Sequence, residues 1–382
     1  MEKYARAAAV VNLSHVANNI RVVRGMVTEG TRVMAVVKAN GYGHGIYEIS
    51  QVAVDAGADW LGVATVMEGV FLRRWGITLP ILVLSPVFEE EFESIILNNL
   101  VCTVFRLDVA ERLSYVAGYL EKRARVHIKI DTGMNRVGYN AQSHEAAAQS
   151  AREILKIARL PGIEVEGAYT HLAASDANPG FTLEQFAWFK HILGIIEDDG
   201  LHIPIRHISN SGGILGYREL DMDMVRAGVL TYGLAPNSLK EGALQLAKIG
   251  FLPALTLKSR VAHVKTVRAG QSVGYSRNFV AKSDIQVATV PLGYGDGVSR
   301  HLSNSGRVLL NGQICDIIGN VCMDQFMVNA TGADAKLRDE VVLIGEDLKE
   351  RIWAEDVAAW QGSINYEVAT GISERVPRFY VN

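Results

Sequence analysis

The 382-residue sequence is 49% hydrophobic and 21% charged, which excludes a disordered or fibrous chain and leaves ample material for buried cores. At ~150 residues per domain it predicts two or three domains. Thirty-eight basic against 41 acidic side chains leave a net charge of −3, excluding a broad electrostatic footprint for nucleic acid.

In chain order, the first ~235 residues alternate short β-branched runs with longer segments of helical period. Strands are expected at 33–37, 60–64, 81–84, 101–105, 126–130, 165–170, 205–208 and 225–232, with amphipathic helices at 46–56, 90–97, 109–120, 145–158 and 183–198 between them. Parallel strands need crossovers, and helices supply them. Eight such strands predict closure into a (β/α)8 TIM-like barrel, with a doubly wound open sheet as the alternative. After Pro236 turn-punctuated strands dominate, at 255–267, 285–291, 306–310, 313–318, 326–329 and 340–344, and Asn311-Gly312 is a hairpin signal. The expected organisation is a barrel over 1–238 followed by a mostly β domain over 239–382, with residues 1–13 pairing with that second domain. No repeat or low-complexity segment interrupts it. No apolar run approaches the ~20 residues of a membrane span, and the start reaches Asn12 too soon for a secretory signal. Cys102, Cys315 and Cys322 are odd in number and lack metal-ligand spacing, so a cytoplasmic protein without disulfides or a bound metal is expected.

The most informative string is VVKANGYGHG over 36–45. Lys38 follows an apolar run, at the carboxyl end of the first barrel strand, the face where barrel active sites lie. Apolar neighbours disfavour the ammonium form, and a free amine is what Schiff-base chemistry requires. The plainer alternative is a lysine reaching into solvent, which the three nearby glycines weaken. Lys129 lies within the fifth strand and Arg136 in the loop beyond, a permanent charge suited to a carboxylate or anionic oxygen. His171 ends the sixth strand, Ser209-Asn210-Ser211-Gly212-Gly213 the seventh, and Arg226 lies in the eighth. Loops after strands seven and eight often hold a phosphate. Singly, His171 reads as a core histidine and the Ser-Asn-Ser-Gly-Gly run as a helix cap; their meeting at one barrel face favours function.

These strings, together with KIDTGMNRVG (129–138), YTHLA (169–173), MVRAGVLTYG (224–233), VGYS (273–276), PLGYGDG (291–297), VCMDQ (321–325) and INYEV (364–368), resemble the alanine racemase family over nearly the whole chain. The resemblance implies a pyridoxal-5′-phosphate enzyme that interconverts L- and D-alanine by two bases and supplies D-alanine for peptidoglycan. Lys38 would form an imine with the cofactor and carry the α-proton on the D face, with Tyr275 the opposite base on the L face. Arg226 would face the pyridine nitrogen with His171 behind it. Tyr42, Asn210, Ser211, Gly228, Val229 and Tyr366 would surround the phosphate, while Arg136 and the backbone of Met323 orient the substrate carboxylate or a cofactor oxygen. Tyr294 and Arg300 would line the access corridor. In many relatives the lysine matching Lys129 is carbamylated, which would set an anion beside Arg136. Tyr275 and Met323 come from the partner subunit in the family, implying a homodimer with shared sites. The chain departs from the usual pattern at Asn320, where relatives commonly have arginine, at Gly295, where alanine is common, and at Gly274, where serine is frequent; Arg300 is retained.

The nearest alternative keeps the mechanism and changes the substrate to serine, lysine or several amino acids, since a methylene is worth only ~1–3 kcal/mol of discrimination. Amino-acid decarboxylases share a related architecture but typically present an acid opposite the ring nitrogen. A non-catalytic cofactor-binding barrel would lack the β domain and its opposing tyrosine.

Overall fold

The computed structural model of the chain describes residues 6–382. It divides into two compact units, one formed by Asn19–Gly41 and Ile46–Thr231, the other by 6–18, Tyr42–Gly45 and Tyr232–Asn382.

In chain order, β1 is Ala7–Asn12, β2 Arg32–Val36, β3 Trp60–Val63, β4 Ile81–Val83, β5 Val101–Val104, β6 Ala124–Asp131, β7 the two residues Tyr139–Asn140, β8 Ile163–Tyr169, β9 Ile205–His207 and β10 Met224–Ala227. All but β1 form the first unit's sheet, in the order β10-β2-β3-β4-β5-β6-β8-β9, with β7 attached to β6. Every pairing in it is parallel. Asp223 N donates to Arg206 O (3.1 Å) and Arg226 N to Ser209 O (3.0 Å), which brings β9 and β10 together and nearly closes the expected eight-stranded barrel. Crossover helices cover the outer face and side chains fill the barrel interior, so β3, β4 and β5 read as unbroken buried runs rather than alternating ones. The eighth strand is shorter than expected. It ends at Ala227, and Val229–Tyr232 turns as a 3-10 helix because Ser211 Oγ and the Gly228 carbonyl take its amides. Two helices also differ: the third crossover opens as a 3-10 turn at Glu89–Glu91, and the sixth begins at Pro179, capped by Asn178.

The barrel holds a polar layer. Tyr169 Oη shares a hydrogen bond with Thr103 Oγ1 (2.9 Å) and donates to Leu84 O (3.2 Å). His207 stacks on the Tyr169 ring at 4.7 Å, and His127 Nδ1 lies 2.9 Å from His207 Nε2. Both imidazoles are fully buried.

The second unit continues with β11 Leu255–Arg260, β12 His263–Val267, β13 Ser272–Val273, β14 Phe279–Val280, β15 Ile285–Val290, β16 Arg307–Leu310, β17 Gln313–Ile318, β18 Phe326–Asn329, β19 Glu340–Asp347, β20 Glu350–Ile352 and β21 Arg378–Val381. Its main sheet runs β12-β15-β18-β17-β16-β19-β11-β1-β21, with β20 on β19. β1 pairs antiparallel with β11 and parallel with β21. The single strand expected over 255–267 is two. At Val261 and Ala262 the chain changes partners, Val261 N donating to Asp339 O and Ala262 N to Thr289 O, so β11 pairs with β19 and β12 with β15. β11 alternates buried Leu255, Leu257 and Ser259 with half-buried neighbours, the signature of an antiparallel strand with one face covered. Asn311 (φ 52°) and Gly312 (φ 74°) join β16 to β17 in the two-residue hairpin the sequence signals.

Two outcomes follow from this packing. Gly312→Ala places a Cβ in the left-handed region and 2.6 Å from Leu348 Cδ1, the end of an exposed side chain that can turn aside, so the backbone penalty dominates; it should cost about 1–2 kcal/mol, read as a lower denaturant midpoint. Burial, reinforced by Arg125 and Arg226, pushes the His127 imidazole down to about 3. As pH falls from ~6.5 toward 3, the unfolded chain therefore binds a proton that the folded chain refuses, and stability drops. His127→Gln should make urea stability against pH shallower in that window by roughly 1.4 kcal/mol per pH unit.

Candidate active site

The site is built at the carboxyl ends of the barrel strands. Lys38 lies two residues beyond β2, half-buried, and the chain after it winds left-handed: Ala39, Asn40, Gly41 and Tyr42 all have φ between 51° and 59°. For the non-glycine residues such a turn costs roughly 1 kcal/mol or more each. Glu68 offsets part of that. Its Oε1 accepts from Ala39 N (2.7 Å), while Oε2 accepts from Ala64 N (2.8 Å) and Thr65 N (3.1 Å) as the reciprocal half of a capping box. One carboxylate thus fixes both a helix start and the turn that carries Lys38. Burial lowers the Lys38 amine below its usual range; Arg136 and Arg226 add to that, and Glu68 opposes it.

Arg226, in β10, is 3% exposed. Nη2 donates to Thr170 O and Ile208 O, both 2.9 Å, with His171 Nδ1 at 3.3 Å, and Nη1 donates to His207 Nδ1 at 3.0 Å. Its guanidinium carbon also stands 5.3 Å from the Tyr169 ring centre. Because guanidinium only donates, His207 must accept at Nδ1 and donate from Nε2 to His127 Nδ1, which settles both tautomers. Burial brings Arg226 down to about 10, so it stays cationic at neutral pH. The same burial, with Arg226 as the next cause, holds His171 and His207 well below the usual imidazole range. Lys129 is 3% exposed, lies over the Tyr169 ring at 4.8 Å, and is lowered well below the usual lysine range by burial and then by Arg226. Arg136 is exposed on a loop wrapped around Asp131, whose carboxylate accepts from the backbone N of Gly133, Asn135 and Arg136.

Asn210 caps the helix Ser211–Gly216, its Oδ1 accepting from Gly213 N (3.0 Å). Ser211 Oγ accepts from Gly228 N (3.0 Å) and Leu230 N (3.4 Å), leaving the hydroxyl proton as its donor. The barrel unit thus gathers Lys38, Lys129, Arg136, His171, Asn210, Ser211, Arg226, Gly228 and Val229 at its strand ends.

The remaining expected residues lie in the second unit. Tyr42 is buried, 6.3 Å from Tyr366 between ring centres, and Tyr366 Oη donates to Pro236 O (3.3 Å). Tyr275 is 72% exposed on a turn between β13 and β14, and Met323 is 54% exposed. Tyr294 N donates to Cys322 O (3.0 Å) and Gly295 N to Met323 O (2.9 Å), so the 294 and 323 segments are joined, with exposed Arg300 on the following 3-10 turn.

Residue reading missed Glu68, His127, Tyr169, His207 and the contact of Asn320 with Tyr275. Only Glu68 left a local signal, the Thr65-x-x-Glu68 box; the others act through neighbours distant in sequence.

The family model for the N-terminal domain of alanine racemase matches residues 11–236, and that for its C-terminal domain residues 254–380. The alanine racemase of Desulforamulus reducens is 39% identical over 375 residues, 98% of each chain. The solved alanine racemase of Clostridium difficile 630 is 35% identical with a TM-score of 0.91, covering 100% of this chain and 97% of that one. That of Bartonella henselae, solved with covalently bound pyridoxal phosphate, is 26% identical with a TM-score of 0.87, covering 99% and 100%. The chain belongs to the alanine racemase family.

Proposed function

We propose that this chain racemises alanine with pyridoxal 5′-phosphate, as a homodimer in the cytoplasm, supplying D-alanine for peptidoglycan. The observation that carries the reading is Arg226, a buried guanidinium whose Nε makes no hydrogen bond among the described residues, at the barrel face that also presents a depressed lysine amine.

The donor set fits the cofactor. Lys38 offers an amine for its aldehyde, Arg226 a donor for an unprotonated ring nitrogen, and Ser211 a hydroxyl proton for its phosphate. Asn210 sets the turn bearing Ser211, Val229 adds backbone beside it, and Gly228 N is already engaged in holding Ser211. Tyr42 and Tyr366 complete the phosphate's surroundings in this reading. When bound, the cofactor supplies an electron sink for the pair left by a departing α-proton.

The protein's part is to place proton carriers. Lys38 Nζ, whose charged form the site disfavours, takes or returns the proton on the D face. Tyr275 Oη does the same on the L face, and its exposed position suits a phenol that completes the site of a second copy. Arg226 keeps its own protons at neutral pH, so it would donate to an unprotonated ring nitrogen, and the electron sink supplied by a cofactor held there would be a shallow one that favours return of the α-proton. His171 stands at the guanidinium and stays neutral, adding no second charge. Arg136 and the Met323 backbone orient the substrate carboxylate, with Tyr294 and Arg300 along its access. A carbamate on Lys129 is chemically available: burial disfavours its ammonium form, the free amine would attack CO2 with loss of a proton, and the resulting anion would be balanced by Arg136 and Arg226.

Two experiments test this reading. In heavy water, with a panel of L-amino acids, α-proton exchange with appearance of the D product should be confined to alanine and should vanish in Lys38→Ala; exchange spread evenly over larger amino acids defeats the alanine assignment. Arg226→Glu should deepen the sink and raise transamination relative to racemisation, read as pyruvate formed per D-alanine; an unchanged ratio removes Arg226 from that role.

A further inference from the structure

Resting on the assignment of Tyr275 as a proton carrier, the structure assigns a positioning role to an amide pair beneath it, Asn278 and Asn320. Tyr275 rides on a turn between β13 and β14, two-residue strands that pair only with each other. A ribbon this short does not fix its own geometry. The turn is also strained, with Gly274 at φ 75°, Ser276 at 61° and Arg277 at 52°. Its shape must therefore come from contacts outside the ribbon. Arg277 Nε donates to Ser272 Oγ (3.0 Å), but that bond lies inside the ribbon. Val273 and Phe279 pack the ribbon's strands against Val287, Ile318 and Met327, and the turn itself is tied down by Asn320, whose Nδ2 donates to the Tyr275 carbonyl at 2.9 Å.

Asn320 is suited to this. It is 6% exposed, and the backbone is pinned on both sides: Gly319 N donates to Asn304 Oδ1 (2.7 Å) and Val321 N to Ser303 Oγ (3.0 Å). Its Oδ1 accepts from Asn278 Nδ2 at 2.6 Å, which forbids an amide flip, since a flip would set amine against amine and oxygen against carbonyl. The approach is close. A Cβ on Gly319 would meet Val273 O at 2.6 Å, and one on Gly274 would come within 3.1 Å of Met327 Cε. Asn320 also lies three residues before Met323, so one neutral side chain ties the phenol's backbone to the segment proposed to orient the substrate carboxylate. The pair sets where the phenol stands and adds no charge beneath it.

A positioning device for Tyr275 acts on one face of the α-carbon. In the holoenzyme, solvent deuterium exchange is followed by NMR separately from L-alanine and from D-alanine. Asn320→Ala should slow exchange from L-alanine ~10–100-fold, the scale of a displaced catalytic group, while exchange of D-alanine without inversion, carried by Lys38, stays within about twofold of wild type. Asn278→Ala, which keeps the bond to Tyr275 and loses only the amide's orientation, should give the same asymmetry more weakly. A fluorine label on the 275 ring, read by NMR without substrate, should give one sharp line in the parent and a broadened or split line in both variants. Equal losses on both faces, an unchanged L face, or unfolding of both variants would overturn the inference in favour of a purely structural pair. Failure of the parent enzyme to exchange the α-proton of alanine at all would instead sink the racemase reading.

Discussion

One buried charge organises the barrel's active end. Removing the Arg226 guanidinium from water costs several kcal/mol unless its hydrogens find acceptors, and those acceptors lie on two successive strand ends: Thr170 O and His171 Nδ1 after β8, and His207 Nδ1 and Ile208 O at β9. The strand register that closes the barrel is therefore also the register that solvates this cation. Neither can change without the other.

Burial, with the same charge adding to it, sets the direction in which its neighbours' protonation shifts. Lys38, Lys129, His171 and His207 all feel Arg226, all are driven toward their neutral forms, and burial is the larger cause in each case. A low-dielectric site cannot hold that many cations, and the guanidinium, with by far the highest affinity for its proton, keeps its charge while the others yield. At Lys38 burial is the leading cause and Arg136 the next, with Arg226 adding least, so the lowered amine reflects its enclosure first and the neighbouring guanidinium groups second. Glu68 works against the trend, leaving the amine depressed rather than abolished as a base, and its hold on Ala39 N keeps that amine at the strand end.

How much of this was legible depended on whether the controlling interaction was local. The barrel strands and Lys38 at the end of the first one announced themselves through apolar runs and their boundaries, as did the Asn311-Gly312 hairpin. The end of β10 did not, because Ser211 Oγ, far away in sequence, draws off the amides of Gly228 and Leu230. Nor did the corner at Val261-Ala262, which has no glycine or proline to mark it and exists because the two halves bond to different strands. The histidine pair is similar: His127 and His207 are ordinary apolar-context histidines in sequence and become a relay only when β6 and β9 share one interior.

Gly274, Gly295 and Asn320, the positions at which the family resemblance implies other residues, are linked by contacts through the 320–323 segment. Gly295, where alanine is common, leaves no Cβ to collide with Arg375 Nη1. Arg375 in turn reaches Asp324 at 2.7 Å and buried Asp296 at 3.4 Å, and Asp324 adjoins Met323. Asn320, where arginine is common, carries no charge, yet the segment it opens still has a guanidinium beside it, supplied from position 375. Gly274, where serine is frequent, takes the positive φ that lets Tyr275 turn over Asn320. Read one at a time these substitutions look like a weakening of the family pattern. Taken as contacts they are connected: the small residue at 295 leaves room for Arg375, and the amide at 320 accepts from Asn278 and donates to the Tyr275 carbonyl.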